Sequence, residues 1–123
     1  MINTKLHRQL FERIEKALTE LSVPNQPNSL YEPYRYAMEM GGKRIRPYLT
    51  LLANGICNGN IEESIPAALA VEILHNFTLV HDDIMDSADT RRGKESVFKK
   101  WDQNVAILTG DVMFADAFKQ LSF

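Results

Sequence analysis

Three carboxylates fall within one helical turn in the stretch His81-Asp82-Asp83-Ile84-Met85-Asp86. Because a helix turns by about 100° per residue, Asp82 and Asp86 are predicted to share a face, with Asp83 beside them. Like charges at this spacing destabilise a helix by about 0.2–0.5 kcal/mol per pair, so keeping them together needs a compensating gain. Hard divalent cations take oxygen ligands and often accompany substrate phosphates. The acidic turn therefore predicts a cation site.

Two basic segments carry charges that suit the phosphates of such a site. The loop Gly41-Gly42-Lys43-Arg44-Ile45-Arg46-Pro47 places three cations directly before a predicted helix N-terminus, where backbone N–H groups favour anions. The segment Asp89-Thr90-Arg91-Arg92-Gly93-Lys94 follows the acidic turn by a few residues. Arginine can bind phosphate oxygens at two points, whereas lysine acts as a point charge. Each cluster alone is common on a solvated surface, but their alternation around helix ends favours a metal-bound polyphosphate.

His75 lies seven residues before Asp82, which is nearly two helical turns, so the two are predicted to share a face. A lone helical histidine is typically a core residue, and that alternative stays open. Its position on the aspartate face indicates a hydrogen-bond donor to phosphate rather than a metal ligand. His81 faces elsewhere and is predicted to be structural.

An all-α chain of six helices is predicted to position these residues, since apolar residues recur at helical spacing and no stretch alternates like a strand. The helices are predicted to begin at capping or first-turn residues, which are Asn3, Ser29, Pro47, Pro66, Ser96 and Asn104. The fourth, from about Pro66 to Ser87, carries the aspartates at its C-terminal end, where the helix dipole is negative. This second electrostatic penalty again favours a bound cation. Residues 88–95 are predicted to form a polar loop.

Length, composition and charge exclude several classes of protein. A chain of 123 residues suits one domain, and Lys+Arg 14 against Asp+Glu 16 gives a formal net charge of -2, which argues against general nucleic-acid binding. The single cysteine, Cys57, excludes an internal disulfide and is predicted to be buried near a helix end. No apolar run approaches the roughly 20 residues of a membrane span, and the first residues show no signal sequence. We therefore expect a cytoplasmic protein that is not an integral membrane protein.

Four motifs carry a resemblance to a known family: Gly41-Gly42-Lys43-Arg44-Ile45-Arg46-Pro47, Glu72-Ile73-Leu74-His75, His81-Asp82-Asp83-Ile84-Met85-Asp86 and Arg91-Arg92-Gly93. In order and spacing they resemble the trans-isoprenyl diphosphate synthases, also called polyprenyl synthetases. The resemblance covers nearly the whole chain. It implies an all-helical bundle around a large cavity, a homodimer, and Mg²⁺-dependent head-to-tail condensation of isopentenyl diphosphate with an allylic diphosphate.

The resemblance also implies a role for each motif residue. Asp82 and Asp86 would ligate Mg²⁺, with Asp83 supporting them, and Arg91 would bind the allylic diphosphate. Arg44 belongs to the motif, but its role is less defined. The diphosphate of isopentenyl diphosphate would be bound by Lys43, Arg46, His75 and Arg92.

In this family the residues just before the first aspartate motif help to set product length, and here they are Phe77 and Thr78. Thr78 lies one turn before Asp82 on about the same face, so it is predicted to line the cavity. The placement of Phe77 in the cavity comes from the family alone. A bulky Phe77 resembles the short-chain synthases and favours a C15 to C20 product, while an ordinary core role for Phe77 stays open.

The family's second aspartate-rich motif, on a later helix, has no counterpart here, because the acids after Asp86 do not cluster. Family members run to more than twice this length. We therefore expect residues 1–123 to be the N-terminal portion of a single polyprenyl synthetase domain, with little or no condensation activity alone. One alternative is a terpene cyclase-like enzyme, which would not need the basic loop. The other is a noncatalytic partner subunit of a prenyl synthase, which would not need the aspartates.

Overall fold

The computed structural model describes residues 4–122, which form six α-helices and one short antiparallel hairpin. The helices are α1 (Thr4–Thr19), α2 (Asn28–Glu39), α3 (Ile45–Ile56), α4 (Ile61–Met85), α5 (Val97–Lys100) and α6 (Gln103–Gln120), and the hairpin pairs β1 (Thr90–Arg91) with β2 (Lys94–Glu95). The chain is mostly helical, which confirms the predicted class. The predicted cap Asn3 lies outside the described residues.

The helix α4 lies at the centre of the fold and contacts the other five helices. Near its start, Ile65 packs in one apolar cluster with Leu51 of α3. Further along, Ile73 packs in a second cluster with Tyr34 of α2 and Met113 of α6. Because neighbours cover α4 on several sides, its residues are apolar on most faces, and its C-terminal end is held in a fixed direction.

The fourth helix begins earlier than predicted, at Ile61 rather than Pro66. Its cap is Asn60, whose side-chain oxygen accepts a hydrogen bond from the backbone N–H of Glu62 at 3.0 Å. This bond satisfies one of the N–H groups that a first helical turn leaves without an intrahelical partner. Pro66 therefore lies inside α4, where its missing N–H removes one helical hydrogen bond. The aspartates keep their predicted place, since α4 ends at Met85.

The last helix is capped by a different residue from the one predicted. The carboxylate of Asp102 accepts a hydrogen bond from the backbone N–H of Val105 at 2.7 Å, so Asp102 and not Asn104 is the cap. Both residues have side chains that favour this position, and sequence alone does not rank them. Two other helices begin within two residues of their predicted starts, α2 at Asn28 and α3 at Ile45.

Residues 88–95 contain a hairpin where an irregular loop was predicted. Its two-residue strands are too short to show the alternation by which a strand is recognised. The connecting residues Arg92 and Gly93 have φ angles of 52° and 78°, and positive φ at both positions is typical of two-residue hairpin loops. Ser96 precedes α5 as predicted, but its hydroxyl donates to the carbonyl of Ala88 at 2.7 Å instead of capping the helix.

Cys57 is exposed, and the prediction that it is buried was wrong. It directly follows α3, whose C-terminal end faces solvent, as the exposed Ile56 also shows. None of the helices in the described part of the chain has both the length and the hydropathy that a membrane span requires.

A glycine allows α4 and α6 to approach closely. A Cβ added at Gly110 would lie 2.1 Å from Nε2 of His81. That nitrogen lies 3.1 Å from the carbonyl oxygen of Ile107, and the imidazole packs edge-on against Phe77 with ring centroids 4.8 Å apart. These contacts support the structural role predicted for His81.

Candidate diphosphate and metal site

The C-terminal end of α4 presents two free carboxylates. Asp82 and Asp86 are exposed, and Asp86 is the residue that ends the helix. Within residues 4–122, neither side-chain carboxylate takes part in a hydrogen bond or an ion pair. Their charges lie at the negative end of the helix dipole, with no cationic side chain bonded to them. Both carboxylates are therefore available to an external cation.

Asp83 differs from its two neighbours because it is buried and already paired. Its Oδ1 and Oδ2 accept hydrogen bonds from Arg91 Nη2 at 2.7 Å and from Arg91 Nε at 2.9 Å. The side chain of Asp83 is only 4% exposed, against 27% for Arg91. The hydrogen bond to Asp83 raises the pKa of the Arg91 guanidinium, and the nearby charges of Asp82 and Asp86 act in the same direction. Asp83 therefore holds Arg91 beside the free carboxylates rather than offering a third free carboxylate.

A cavity of about 290 Å³, the cation cavity, lies between the loop before α3, the middle of α4 and the hairpin. Its lining residues are Gly42, Lys43, Arg44, Ile45, Arg46, Glu72, His75 and Arg92. The structure thus brings together around one cavity all four side chains that the resemblance assigned to the diphosphate of isopentenyl diphosphate. They come from three separate segments of the chain, so only the tertiary fold makes them neighbours.

Glycines let the hairpin reach the basic loop. Gly41 and Gly42 have φ angles of 79° and 144°, which side-chain-bearing residues rarely adopt. The guanidinium of Arg92 donates a hydrogen bond to the carbonyl of Gly41 and lies over Gly42, where an added Cβ would be 3.0 Å from the guanidinium carbon. Arg92 itself has a positive φ, a conformation that costs a non-glycine residue roughly 1–2 kcal/mol. The turn keeps an arginine where asparagine or glycine would be easier to fit.

Arg44 lines the same cavity, but its guanidinium is directed into the protein. Its Nη1 donates to Oε1 of Glu72 at 2.8 Å, Nε to Glu15 at 3.3 Å and Nη2 to the carbonyl of Met38 at 3.3 Å. Oε1 of Glu72 also accepts a hydrogen bond from Nδ2 of Asn76 at 3.0 Å. All three nitrogens of Arg44 are therefore bound, which distinguishes it from the exposed Lys43 and Arg46.

Sequence reasoning gave no role to Glu72 and Asn76. Both are buried, at 3% exposure each, and they are one helical turn apart in a helix that is apolar on most sides. Buried charges in proteins are almost always paired. A carboxylate in the middle of such a helix was therefore the available signal that a buried cation lies nearby.

The imidazole of His75 lies at the edge of the cation cavity. Partial burial lowers its pKa below the ordinary 6.5, and the positive charges of Arg46, Arg92 and Arg91 lower it further, against an opposing effect of Glu72. The neutral imidazole is therefore favoured at neutral pH while the cavity holds no anion. An anion that enters the cavity would reverse the balance and raise this pKa.

Diphosphate binding is therefore expected to be accompanied by proton uptake at His75. Affinity should rise as the pH falls through the interval between the lowered pKa of the free chain and the higher pKa of the complex. Calorimetric titration with inorganic diphosphate in buffers of different ionisation enthalpy measures the number of protons taken up. The wild-type chain should take up more protons near pH 6.5 than His75→Gln, which lacks the imidazole at this position. Equal proton uptake by the two proteins would contradict this role.

An apolar groove of about 490 Å³ continues from the cation cavity between α3 and α4. Arg46 and His75 stand at one end, and the other lining residues are Leu49, Thr50, Val71, Leu74 and Thr78. Thr78 thus lines a groove on the side of α4 that carries His75. Phe77 lies elsewhere, with its ring centroid 5.3 Å from that of Phe114 on α6. The two residues assigned to product length therefore have different surroundings in this structure.

The arrangement of the helices matches part of the isoprenoid synthase fold. Residues 27–122 match the family model described as polyprenyl synthetase, and the chain belongs to that family.

Several relatives of this chain are short-chain prenyl diphosphate synthases. It is 46% identical over 109 residues to a geranylgeranyl diphosphate synthase of Methanosarcina mazei, covering 89% of this chain and 34% of the relative. It is 42% identical over 115 residues to a short chain isoprenyl diphosphate synthase of Methanocaldococcus jannaschii, covering 94% of this chain and 35% of the relative. The chain therefore spans about a third of the length of these curated relatives.

Solved structures show the same similarity. A geranyltranstransferase of Thermotoga maritima superposes with a TM-score of 0.87 at 36% sequence identity, covering 94% of this chain and 44% of that protein. A geranylgeranyl pyrophosphate synthetase of Geoglobus acetivorans superposes with a TM-score of 0.80 at 43% identity, covering 94% of this chain and 36% of that protein.

Proposed function

We propose that this chain supplies one half of the active site of a prenyltransferase. The enzyme condenses isopentenyl diphosphate with an allylic diphosphate to a trans-prenyl diphosphate of C15 to C20. The observation that carries the proposal is the convergence of Lys43, Arg46, His75 and Arg92 on one cavity, near a helix end with two free carboxylates. The 123-residue chain alone has little or no condensation activity, because the opposite wall of the site must come from sequence outside it. The homodimer expected for the family stays a prediction.

The free carboxylates suit Mg²⁺. This ion is usually bound by one or two carboxylates together with substrate phosphates and water, rather than by an all-protein cage. Asp82 and Asp86 provide such a pair, and residues 4–122 contain no group of three or more acidic, histidine or cysteine side chains placed to hold a metal. When bound, Mg²⁺ supplies positive charge that stabilises the departing diphosphate. Asp82 and Asp86 are thus the residues that would hold it.

The cations of this chain stabilise the charge that the reaction develops. Ionisation of an allylic C–O bond leaves negative charge on the diphosphate and positive charge on carbon. Arg91, fixed by Asp83, orients the allylic diphosphate beside Asp82 and Asp86. A cation that is already in position when the reaction occurs needs no reorganisation at that moment, and this is the main advantage of preorganised charge.

The cation cavity holds the second substrate. Isopentenyl diphosphate carries several negative charges close together, which the cations of the cavity suit, and Arg46 and Arg92 can each bind phosphate oxygens at two points. The groove lined by Leu49, Leu74 and Thr78 takes the hydrocarbon part of isopentenyl diphosphate. Its apolar lining keeps water from the carbocation that forms on the allylic substrate. The double bond of isopentenyl diphosphate then attacks the allylic carbon, and the carbon beside the new cation loses a proton to the departed diphosphate, which re-forms a double bond. No nucleophilic side chain takes part.

A chimera tests this function directly. Residues 1–123 replace the matching segment of the Methanosarcina mazei geranylgeranyl diphosphate synthase, which supplies the other two thirds of a synthase. With labelled isopentenyl diphosphate and an allylic diphosphate, the chimera is expected to form C15 to C20 products, while the 123-residue chain alone forms none. A folded chimera without turnover would contradict the proposed function. Turnover by the chain alone would contradict the need for a second half.

A further inference from the structure

Arg44 stands between two proposed phosphate-binding residues, yet it does not face the ligand. Lys43 precedes it and Arg46 follows two residues later, and both are exposed. The Arg44 side chain is 6% exposed and pairs with Glu72, which is 4% exposed. Arg44 also has a φ of 55° at the N-terminal cap of α3. The basic loop thus turns through a left-handed residue whose side chain is anchored inside the protein.

The partner of this arginine is itself held in place. Besides its bond to Arg44, Oε1 of Glu72 accepts a hydrogen bond from Asn76 Nδ2, and the same amide nitrogen donates to the backbone carbonyl of Glu72 at 2.8 Å. Glu72 lies three residues before His75 on α4, so one rigid turn links the ion pair to the imidazole at the edge of the cavity.

Stability alone does not account for a buried ion pair. Taking two charges out of water costs several kcal/mol per ion, and well-packed apolar residues of similar volume are often equally stable or better. This pair joins the two segments that carry the proposed diphosphate ligands, the loop before α3 and the middle of α4.

We propose that Arg44 and Glu72 are a positioning pair, whose buried ion pair fixes the basic loop on α4 so that Lys43 and Arg46 converge with His75 on one diphosphate. This inference rests on the proposed diphosphate site and adds residues that act through others. Arg44 belongs to the basic motif but works from inside the protein, and Asn76 supports it by orienting Glu72.

The test replaces the pair by apolar residues of similar size, Arg44→Met with Glu72→Leu, in the 123-residue chain. Circular dichroism is expected to show a helical, cooperatively melting protein. Calorimetry is expected to show that isopentenyl diphosphate binds about tenfold more weakly, the lower end of the range by which residues that orient metal ligands change metal affinity. Amide hydrogen exchange in residues 41–46 should become faster, while exchange in α6 stays unchanged.

Another arginine–glutamate pair provides a matched control. Arg13 of α1 makes two hydrogen bonds to Glu62 of α4, at 2.7 and 2.8 Å, and neither residue lines the cavity. Arg13→Met with Glu62→Leu should leave both diphosphate affinity and exchange in residues 41–46 unchanged. If the Arg44→Met/Glu72→Leu protein does not fold, Arg44→Lys is used, which keeps the positive charge but cannot bond Glu72, Glu15 and the carbonyl of Met38 together as the guanidinium does. Exchange in residues 41–46 should become faster in this variant, and isopentenyl diphosphate should bind more weakly than to wild type.

The results of these experiments distinguish the positioning role of Arg44 and Glu72 from the proposed prenyltransferase function. A folded Arg44→Met/Glu72→Leu chain with wild-type affinity and wild-type exchange in residues 41–46 overturns the positioning role. Equal changes in the Arg13→Met/Glu62→Leu control overturn it as well, as do wild-type exchange and wild-type affinity in a folded Arg44→Lys chain. If the wild-type chain does not bind isopentenyl diphosphate, the proposed function fails instead, and hydrogen exchange still decides whether the pair positions the loop.

Discussion

Replacing both free aspartates, Asp82→Asn with Asp86→Asn, is expected to lower the turnover of the Methanosarcina chimera by about 10³-fold or more, and yet not to destabilise the protein. Removing a single preorganised electrostatic group from an active site commonly costs about 10²–10³ in rate, and this change removes the protein ligands of the metal. The substituted side chains are exposed and unbonded within residues 4–122, so no packing is lost.

The same double substitution should slightly increase the stability of the protein, although it lowers turnover. Two like charges four residues apart repel each other, and both lie at the negative end of the α4 dipole. Without Mg²⁺, the Asp82→Asn/Asp86→Asn protein should therefore have a slightly higher free energy of unfolding than wild type in urea titrations. Asp111→Asn, at an exposed position on α6, is the control and should change neither turnover nor stability. Substantial residual turnover, or a loss of stability in the absence of metal, would contradict the assignment.

Gly110→Ala is expected to reduce the free energy of unfolding by about 1–3 kcal/mol, although alanine normally stabilises a helix relative to glycine. The added Cβ would meet the His81 ring at 2.1 Å, and the ring has little room to move. It is hydrogen-bonded to Ile107 and packed against Phe77. Either the α4–α6 interface separates or these contacts are lost. Urea unfolding followed by circular dichroism measures the change.

A second helical glycine makes the comparison sharp. Gly55 lies in α3, and a Cβ there would meet nothing within 4 Å. Gly55→Ala should therefore stabilise the protein by about 0.5–1 kcal/mol, the ordinary difference in helix propensity. The combination Gly110→Ala with His81→Ala removes the clash and should recover part of the loss. If Gly110→Ala and Gly55→Ala changed stability alike, the close approach of α4 and α6 would not exist in solution.

Helix positions could be predicted from the sequence because apolar spacing reports directly on the buried face of a helix. The long apolar run of α4 and its acidic end at Asp82 to Asp86 were therefore recognisable. The exact first residues of the helices could not be predicted in this way. Asn60 and Asp102 are the observed caps where Pro66 and Asn104 were predicted, and which residue caps a helix depends on which backbone N–H groups the fold leaves unbonded. The hairpin was missed because two-residue strands carry no periodicity.

The site itself was predictable in composition but not in arrangement. Asp82 and Asp83 are residues of the same type, yet Asp82 is exposed and Asp83 is buried against Arg91. Arg44 and Arg46 differ in the same way, because the left-handed turn at Arg44 directs its side chain towards Glu72. Burial of one member of each pair depends on its contact with another segment, Arg91 of the hairpin for Asp83 and Glu72 of α4 for Arg44.

Binding of isopentenyl diphosphate to the 123-residue chain tests the central claim, that the cavity around His75 holds a diphosphate. In a calorimetric titration the wild-type chain should bind with saturation, and Arg46→Met should weaken binding by about 1.5–3 kcal/mol, the range for a hydrogen bond to a charged group. Arg92→Gly should weaken binding similarly while the hairpin keeps its turn, since glycine accepts the positive φ of that position. Lys99→Met, an exposed cation on α5, should bind as wild type does. Absence of saturable binding to the folded wild-type chain, or equal losses in all three variants, would contradict the account.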